Sequence, residues 1–286
     1  MIACALGAAT GCDRVLGLSA ATTADAYSPN SPGCARDHDE DGDQINDCDD
    51  NCPGVANLAQ DDVLEVLNGE VADHVGDVCD PAPTKGGDAR VKFISFAGPT
   101  EYLEWTTVSG DWSVQNDAFI YTSQTVRDGT AAWLGRRPPP PFAFAARVVV
   151  DSVGFAEAAP TDAKLFVALD GDVTSRQWAC SLEHQYRSGS PYMDFLVASD
   201  NVTDYSDTPL AQGAIAAGAA FDLRASLVTT GTMTTLACSV VDVTGTQYAT
   251  RLTTATAPTH GIRFDSLLMA AHVDYLELYD LSNETP

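Results

Sequence analysis

Lysine and arginine are scarce in this chain: 15 stand against 40 Asp and Glu in 286 residues, a formal charge of -25. That balance argues against nucleic acid or an anionic membrane surface as a partner, because both are bound by neutralising phosphates with basic side chains. Between Asp37 and Asp80 there is no Lys or Arg at all. Histidine is also rare, with five scattered residues and no pair at ligand spacing, so zinc patterns and HExxH are absent. No phosphate loop and no Ser/His/Asp order is found. The first dozen residues are too few to cross a bilayer. Helix patterns are equally thin: "AQGAIAAGAAF" (211–221) is broken by glycine and reads as a loop, and "RRPPPP" (136–141) reads as a surface turn.

Present instead are 45% hydrophobic residues, enough for one large or two smaller cores, and eight cysteines at 4, 12, 34, 48, 52, 79, 180 and 238. So many cysteines without zinc spacing point to an oxidising, exported compartment. The opening "MIACALGAATGC" is apolar and small like the end of an export signal, but has no basic n-region. "ATGC" (9–12) resembles a bacterial lipobox, with Ala9 where the usual pattern has Leu; the resemblance implies that Cys12 is lipidated and anchors the protein to a membrane. The alternative is an ordinary cysteine in a leader, or a start codon further upstream.

Composition then divides the chain. Residues 1–12 form the signal remnant, and 13–36, rich in Ala, Ser, Thr, Pro and Asn without periodicity, form a tether. Residues 37–81 form an acidic, cysteine-bearing segment, and 82–89 a Pro/Gly linker. From residue 90 to 282 about a dozen short β-type runs separated by turn residues indicate an antiparallel β-sandwich or jelly roll.

The acidic segment contains "DEDGDQINDCDDNCP" (39–53), with seven carboxylates and two cysteines in fifteen positions. Adjacent unit charges about 4 Å apart repel by roughly 1 kcal/mol even in water, so a cation is the natural counterpart. Carboxylates at alternate positions, Asp39, Asp41 and Asp43, let a curling backbone present oxygens to one point, as in an EF-hand-like loop. Asp47 and Asp50 then fall at loop positions 9 and 12, Ile45 offers its carbonyl at position 7, and Gly42 relieves the turn. A flexible oxygen cage of this kind favours calcium over magnesium.

These residues carry a family resemblance. "DEDGDQINDCDDNCPGVANLAQ" is similar to the thrombospondin type 3 repeat, matching its D-x-D-x-D, DNCP, Asn and Gln positions, and "DHVGDVCDP" (73–81) is similar to its second half. The resemblance implies calcium ligands at Asp39, Asp41, Asp43, Ile45, Asp47 and Asp50, and at Asp73, Asp77 and Asp80 for a second site. Between Gln60 and Gly76 this chain is longer than the pattern, and "VLEVLNGEVA" replaces the Asp-rich run. The second site is then weakened, rebuilt with Asp62 or Glu70, or lost, and the inserted stretch could serve as a hydrophobic tack. The segment has too little apolar material for a core, so calcium and disulfides must order it. Cys52 with Cys79 and Cys34 with Cys48 is the expected pairing, among three connectivities.

In the sandwich, period two puts Trp178, Cys180 and Leu182 on one face and Leu236, Cys238 and Val240 on another, so a Cys180–Cys238 bridge follows. The order of features from "GDWSVQNDAFIY" to "VDYLELYD" resembles the concanavalin A-like lectin/glucanase sandwiches, a fold that hosts glycan binders, adhesion modules and glycosidases and decides nothing alone. The glucanase E-x-D-x-x-E strand is absent, and Asp274 and Glu277, three apart, should point to opposite faces of a strand, so no enzyme is expected; the alternative is a divergent glycoside hydrolase or lyase with an acid pair contributed by two strands. His184, Tyr186, Tyr192 and Asp194 are the cluster suited to a sugar, with aromatics for ring faces and a carboxylate for hydroxyls; the plainer reading is a half-exposed β face. Together these features lead to a mainly β protein of the cell envelope, with calcium as cofactor and a glycan or cell-surface protein as partner.

Overall fold

The computed structural model describes residues 37–97, 105–122, 129–133, 141–154, 162–169, 178–185, 192–200, 204–255 and 262–282. The expected lipidation site Cys12, the tether, Cys34, Tyr186 and most of "RRPPPP" lie outside them. Among the described residues no helix is long and apolar enough to cross a membrane.

Among the described residues one helical turn, α1 (Leu64–Leu67), precedes fifteen strands: β1 (Ala89–Ile94), β2 (Trp105–Ser109), β3 (Trp112–Gln115), β4 (Ala118–Tyr121), β5 (Gly129–Trp133), β6 (Phe142–Val153), β7 (Ala163–Ala168), β8 (Ala179–Gln185), β9 (Met193–Ser199), β10 (Tyr205–Pro209), β11 (Ala219–Thr230), β12 (Met233–Asp242), β13 (Gln247–Thr254), β14 (Ile262–Leu267) and β15 (Met269–Asp280). Eight form a sheet in the order β13-β12-β11-β6-β15-β4-β3, with β1 sharing the β4 edge of β15, and seven form a second in the order β10-β9-β8-β7-β14-β5-β2. All pairings are antiparallel, as the alternating sequence texture anticipates. The expected loop at 211–221 is one as far as Gly218, after which β11 begins.

Period two sorts the residues. In β11, Phe221, Leu223, Ala225 and Leu227 are buried while Asp222, Arg224 and Ser226 are not. They meet Phe142, Phe144 and Val148 of β6 and Leu236, Cys238 and Val240 of β12 in one core shared with Leu165, Val167, Leu182, Leu196 and Phe264 of the second sheet. Asn116 and Asp117, both at positive φ, make the two-residue turn between β3 and β4, which suits the strand twist. Cys180 and Cys238 are bonded across the two sheets, as expected, closing a span of 58 residues.

The acidic segment packs on the outer face of the eight-stranded sheet. Cys52, Val75 and Cys79 sit against Ala143, Ala145, Tyr279 and Leu281 in a second apolar cluster, where the two alanines let the segment approach. Gly54 is required by that approach: a Cβ there would lie 2.5 Å from the Tyr275 ring. The inserted stretch is not the tack considered above, because Val63, Val66, Leu67 and Val71 are exposed, Leu67 by 77% and Val71 by 81%. Cys52, Val75 and Cys79 do that work instead, since the bridge has already brought them together.

Candidate functional site

The first carboxylate group is built by its own loop. Asp39 accepts the N–H groups of Gly42 (2.9 Å), Asp43 (3.2 Å) and Gln44 (2.9 Å), Asp41 accepts that of Asp43 (3.0 Å), and Asp43 those of Ile45 (2.8 Å) and Asn57 (2.8 Å). Such bonds need a tight, left-handed backbone, and Gly42 has φ 77° as expected. Gln44 stands at position six, where an EF-hand has glycine, and has φ 81° although it carries a Cβ. The result is one carboxylate oxygen each from Asp39, Asp41 and Asp43, all within 4.8 Å of one another.

The remaining expected ligands divide. Asp50 holds Cys52 N–H (2.7 Å) and the Gln60 amide (2.7 Å) with Oδ1, while its Oδ2 is buried without a donor and its charge reaches Asp41. Asp47 is turned to His38 Nδ1 (2.8 Å) and Glu40 N–H (2.9 Å). Ile45 is half-buried, next to the group. Burial, followed by the charges of Asp50, Asp43 and Asp39, pushes the Asp41 carboxyl up to about 7. Beside it a cavity of about 440 Å³ opens between segment and sheet, lined by Glu40, Gly54, Arg147, Asp222, Asp274 and Tyr275. Burial and then the charge of Asp274 push Glu40 up to about 9.

A second acidic centre surrounds Glu65 of α1. Asp62, Glu65 and Asp77 offer oxygens within 4.8 Å of one another, and so do Glu65, Asp73 and Asp80. Glu65 is fully buried, and its pKa is pushed up to about 8 by that burial and then by Asp80 and Asp62. Sequence reasoning brought Asp73, Asp77 and Asp80 forward and considered Asp62 and Glu70, but missed Glu65. The orphaned oxygens of Asp41, Asp50, Asp62, Glu65 and Asp80 show that both donor sets fit a hard divalent cation.

Cys52 and Cys79 are bonded, the expected pairing. Cys48 is also disulfide-bonded, and its expected partner Cys34 lies outside the described residues. Because the Cys52–Cys79 bridge closes 27 residues, replacing both cysteines by Ala should lower the stability of the folded segment by about 3.5 kcal/mol. A thermal melt with calcium present checks this, and a shift indistinguishable from zero would contradict it.

On the sandwich the sugar-suited cluster assembles in part. His184 of β8 bonds Asp194 of β9 (2.6 Å) and stacks on Tyr192, centroids 4.5 Å apart. His184 and Asp194 share the core-facing side with Leu182 and Leu196, and Asp194 also accepts Ile215 N–H (3.1 Å). The aspartate therefore pins the 210–218 loop, and the two rings are left at the rim. The opposite side of this sheet carries a row that sequence reasoning did not single out: Lys164 with Glu183 (2.8 Å) and Arg263 with Asp265 (2.9 Å).

Asp274 and Glu277 correct an expectation. The register of β15 against β6 shifts between Val273 and Tyr275, so both residues lie on the outer face rather than on opposite ones. They remain apart in role: Asp274 meets Arg147 (3.5 Å) and His272 (3.4 Å), while Glu277 is fully buried and accepts the Tyr279 hydroxyl (2.7 Å).

No family model and no curated protein matches the chain. Among solved structures, the chain is similar to peanut lectin with a 9mer peptide (TM-score 0.49, 10% identity, 68% of this chain and 97% of that one). It is also similar to the metal-free lectin I-B4 from Griffonia simplicifolia (TM-score 0.45, 11% identity, 66% and 100%) and to a legume lectin-like domain from Entamoeba histolytica (TM-score 0.44, 12% identity, 64% and 92%).

Proposed function

We propose that this is an exported calcium-binding protein, lipid-anchored through Cys12, in which a calcium-stiffened and disulfide-linked segment buttresses a β-sandwich with a structural or adhesive role at the cell surface. The observation that carries the reading is the convergence of Asp39, Asp41 and Asp43 in a loop whose own N–H groups aim the carboxylates, within a stretch, Asp37 to Asp80, that contains no Lys or Arg. Ligands of this kind bind calcium as six to eight oxygens at 2.3–2.6 Å. Calorimetry on the full chain tests it: saturable calcium binding is expected in the wild type, with one site lost in Asp43→Ala. A chain that takes up no calcium would end the reading.

A second reading, carbohydrate binding by the sandwich, draws support from the His184–Tyr192 ring pair at its rim, since flat rings stack on sugar faces. Glycan-array signals that disappear in Tyr192→Ala while calcium binding persists would favour it; silence of the wild type across the array would count against it.

A further inference from the structure

We infer that Glu65 bridges two calcium ions, one held with Asp62 and Asp77 and the other with Asp73 and Asp80, so that the inserted turn is itself a cation-binding element. This rests on the calcium reading above and adds to it a residue that the repeat resemblance does not supply. Oxygens bound to one calcium at 2.3–2.6 Å lie at most about 5 Å apart. Both triads meet that limit at 4.8 Å, and Glu65 belongs to both.

The orientation of each carboxylate supports the pair of ions. Asp62 is held by His74 N–H (2.9 Å) on Oδ2 and keeps a buried Oδ1 without a donor. Asp80 is held by Ala82 N–H (2.5 Å) on Oδ1 and keeps a buried Oδ2 without one. Asp77 takes the N–H groups of Val63 (3.0 Å) and Leu64 (3.2 Å) on Oδ1, and Asp73 those of Val75, Gly87 and Asp88 (3.0 Å each). Backbone amides thus fix the four aspartates. Glu65 differs: it is 0% exposed, and neither of its oxygens has a hydrogen-bond donor.

A fully buried carboxylate surrounded by carboxylates either holds a proton or needs a compensating charge. The five acids carry five negative charges, of which one divalent ion would offset two and a bridged pair would offset four. One oxygen of Glu65 for each ion satisfies both of its orphaned atoms. Magnesium fits less well, because it keeps several of its waters and these oxygens already crowd the space.

The test is an ion count on the full chain, saturated with calcium, desalted and read by elemental mass spectrometry, with the near-ultraviolet circular dichroism of the sandwich as a check on folding. Glu65→Gln should carry two ions fewer than wild type and Asp43→Ala one fewer. Asp62→Asn, which alters only one side of the bridge, should carry one fewer, and it decides the matter if Glu65→Gln does not fold. Wild-type ion content in a folded Glu65→Gln, or in Asp62→Asn, would overturn the bridge while leaving the first site intact. A wild-type chain with no calcium at all would overturn the underlying reading as well.

Discussion

Freed of divalent cations, the protein should melt at progressively lower temperature as pH rises from about 4 to 9, and calcium should reverse that trend. The sign follows from the folded state. Asp41, Glu65 and Glu40 have carboxyls raised to about 7, 8 and 9 from ordinary values of 3.8, 4.5 and 4.5, in each case first by burial. Groups raised in this way contribute their stability fully below the unfolded pKa and lose it as pH climbs through the folded one. Calcium needs the ionised form, so the loaded protein gains where the empty one loses. At free calcium a thousandfold above the dissociation constant, each site adds about 4 kcal/mol. Thermal melts at pH 5, 6.5 and 8, with calcium and after exhaustive chelation, would show the curves diverging as pH rises. Superimposable curves would be incompatible with cation sites at Asp41 and Glu65.

The second large effect is expected at Arg90. This buried residue of β1 reaches from the sandwich to the acidic segment, donating from Nη2 to the Asp50 carbonyl at 2.7 Å. Its charge also opposes the burial that raises the Glu277 pKa, ahead of the Tyr279 hydroxyl and Arg224. Glu277 is fully buried, so Arg90→Met leaves a charge in the interface with much of its compensation gone. Losing a hydrogen bond from a charged donor, with the buried acceptor left unsatisfied, costs roughly 1.5 to 3 kcal/mol. Denaturant unfolding should show that loss, and Arg90→Met/Glu277→Gln should recover part of it, because the stranded charge is then gone. A single variant as stable as wild type would show that the segment does not depend on this strap.

These two sites differ in how far the sequence discloses them. The alternation of Asp39, Asp41 and Asp43 encodes its own geometry, because each carboxylate bonds amides only a few residues ahead. The Cys52–Cys79 and Cys180–Cys238 bridges were legible for similar reasons, one from the repeat pattern and one from period two. Glu65 was not, since one acid among Val, Leu and Asn reads as the solvent side of a short turn. Tertiary context inverts that assignment, burying the glutamate and exposing Val66 and Leu67. Asp274 and Glu277 were misplaced because period two fails across a bulge, which no local residue type announces. Arg263 and Asp265 alternate with core residues and would be assigned to solvent, yet they are only 2% and 4% exposed.

The stretch expected as a linker has a mechanical consequence. Gly87 and Asp88 donate to Asp73, Arg90 holds Asp50, and Arg224 holds the Val78 carbonyl at 3.3 Å, so the acidic segment is latched at several points before the chain enters β1. A load arriving from residue 37 is therefore shared among these contacts and the covalent path through Ala89. The Cys52–Cys79 bridge limits how much chain can pay out if the latches open. Such a joint behaves as a stiff bracket, and tension on the N-terminal side would be felt by β6 and β15, the strands on which the segment rests.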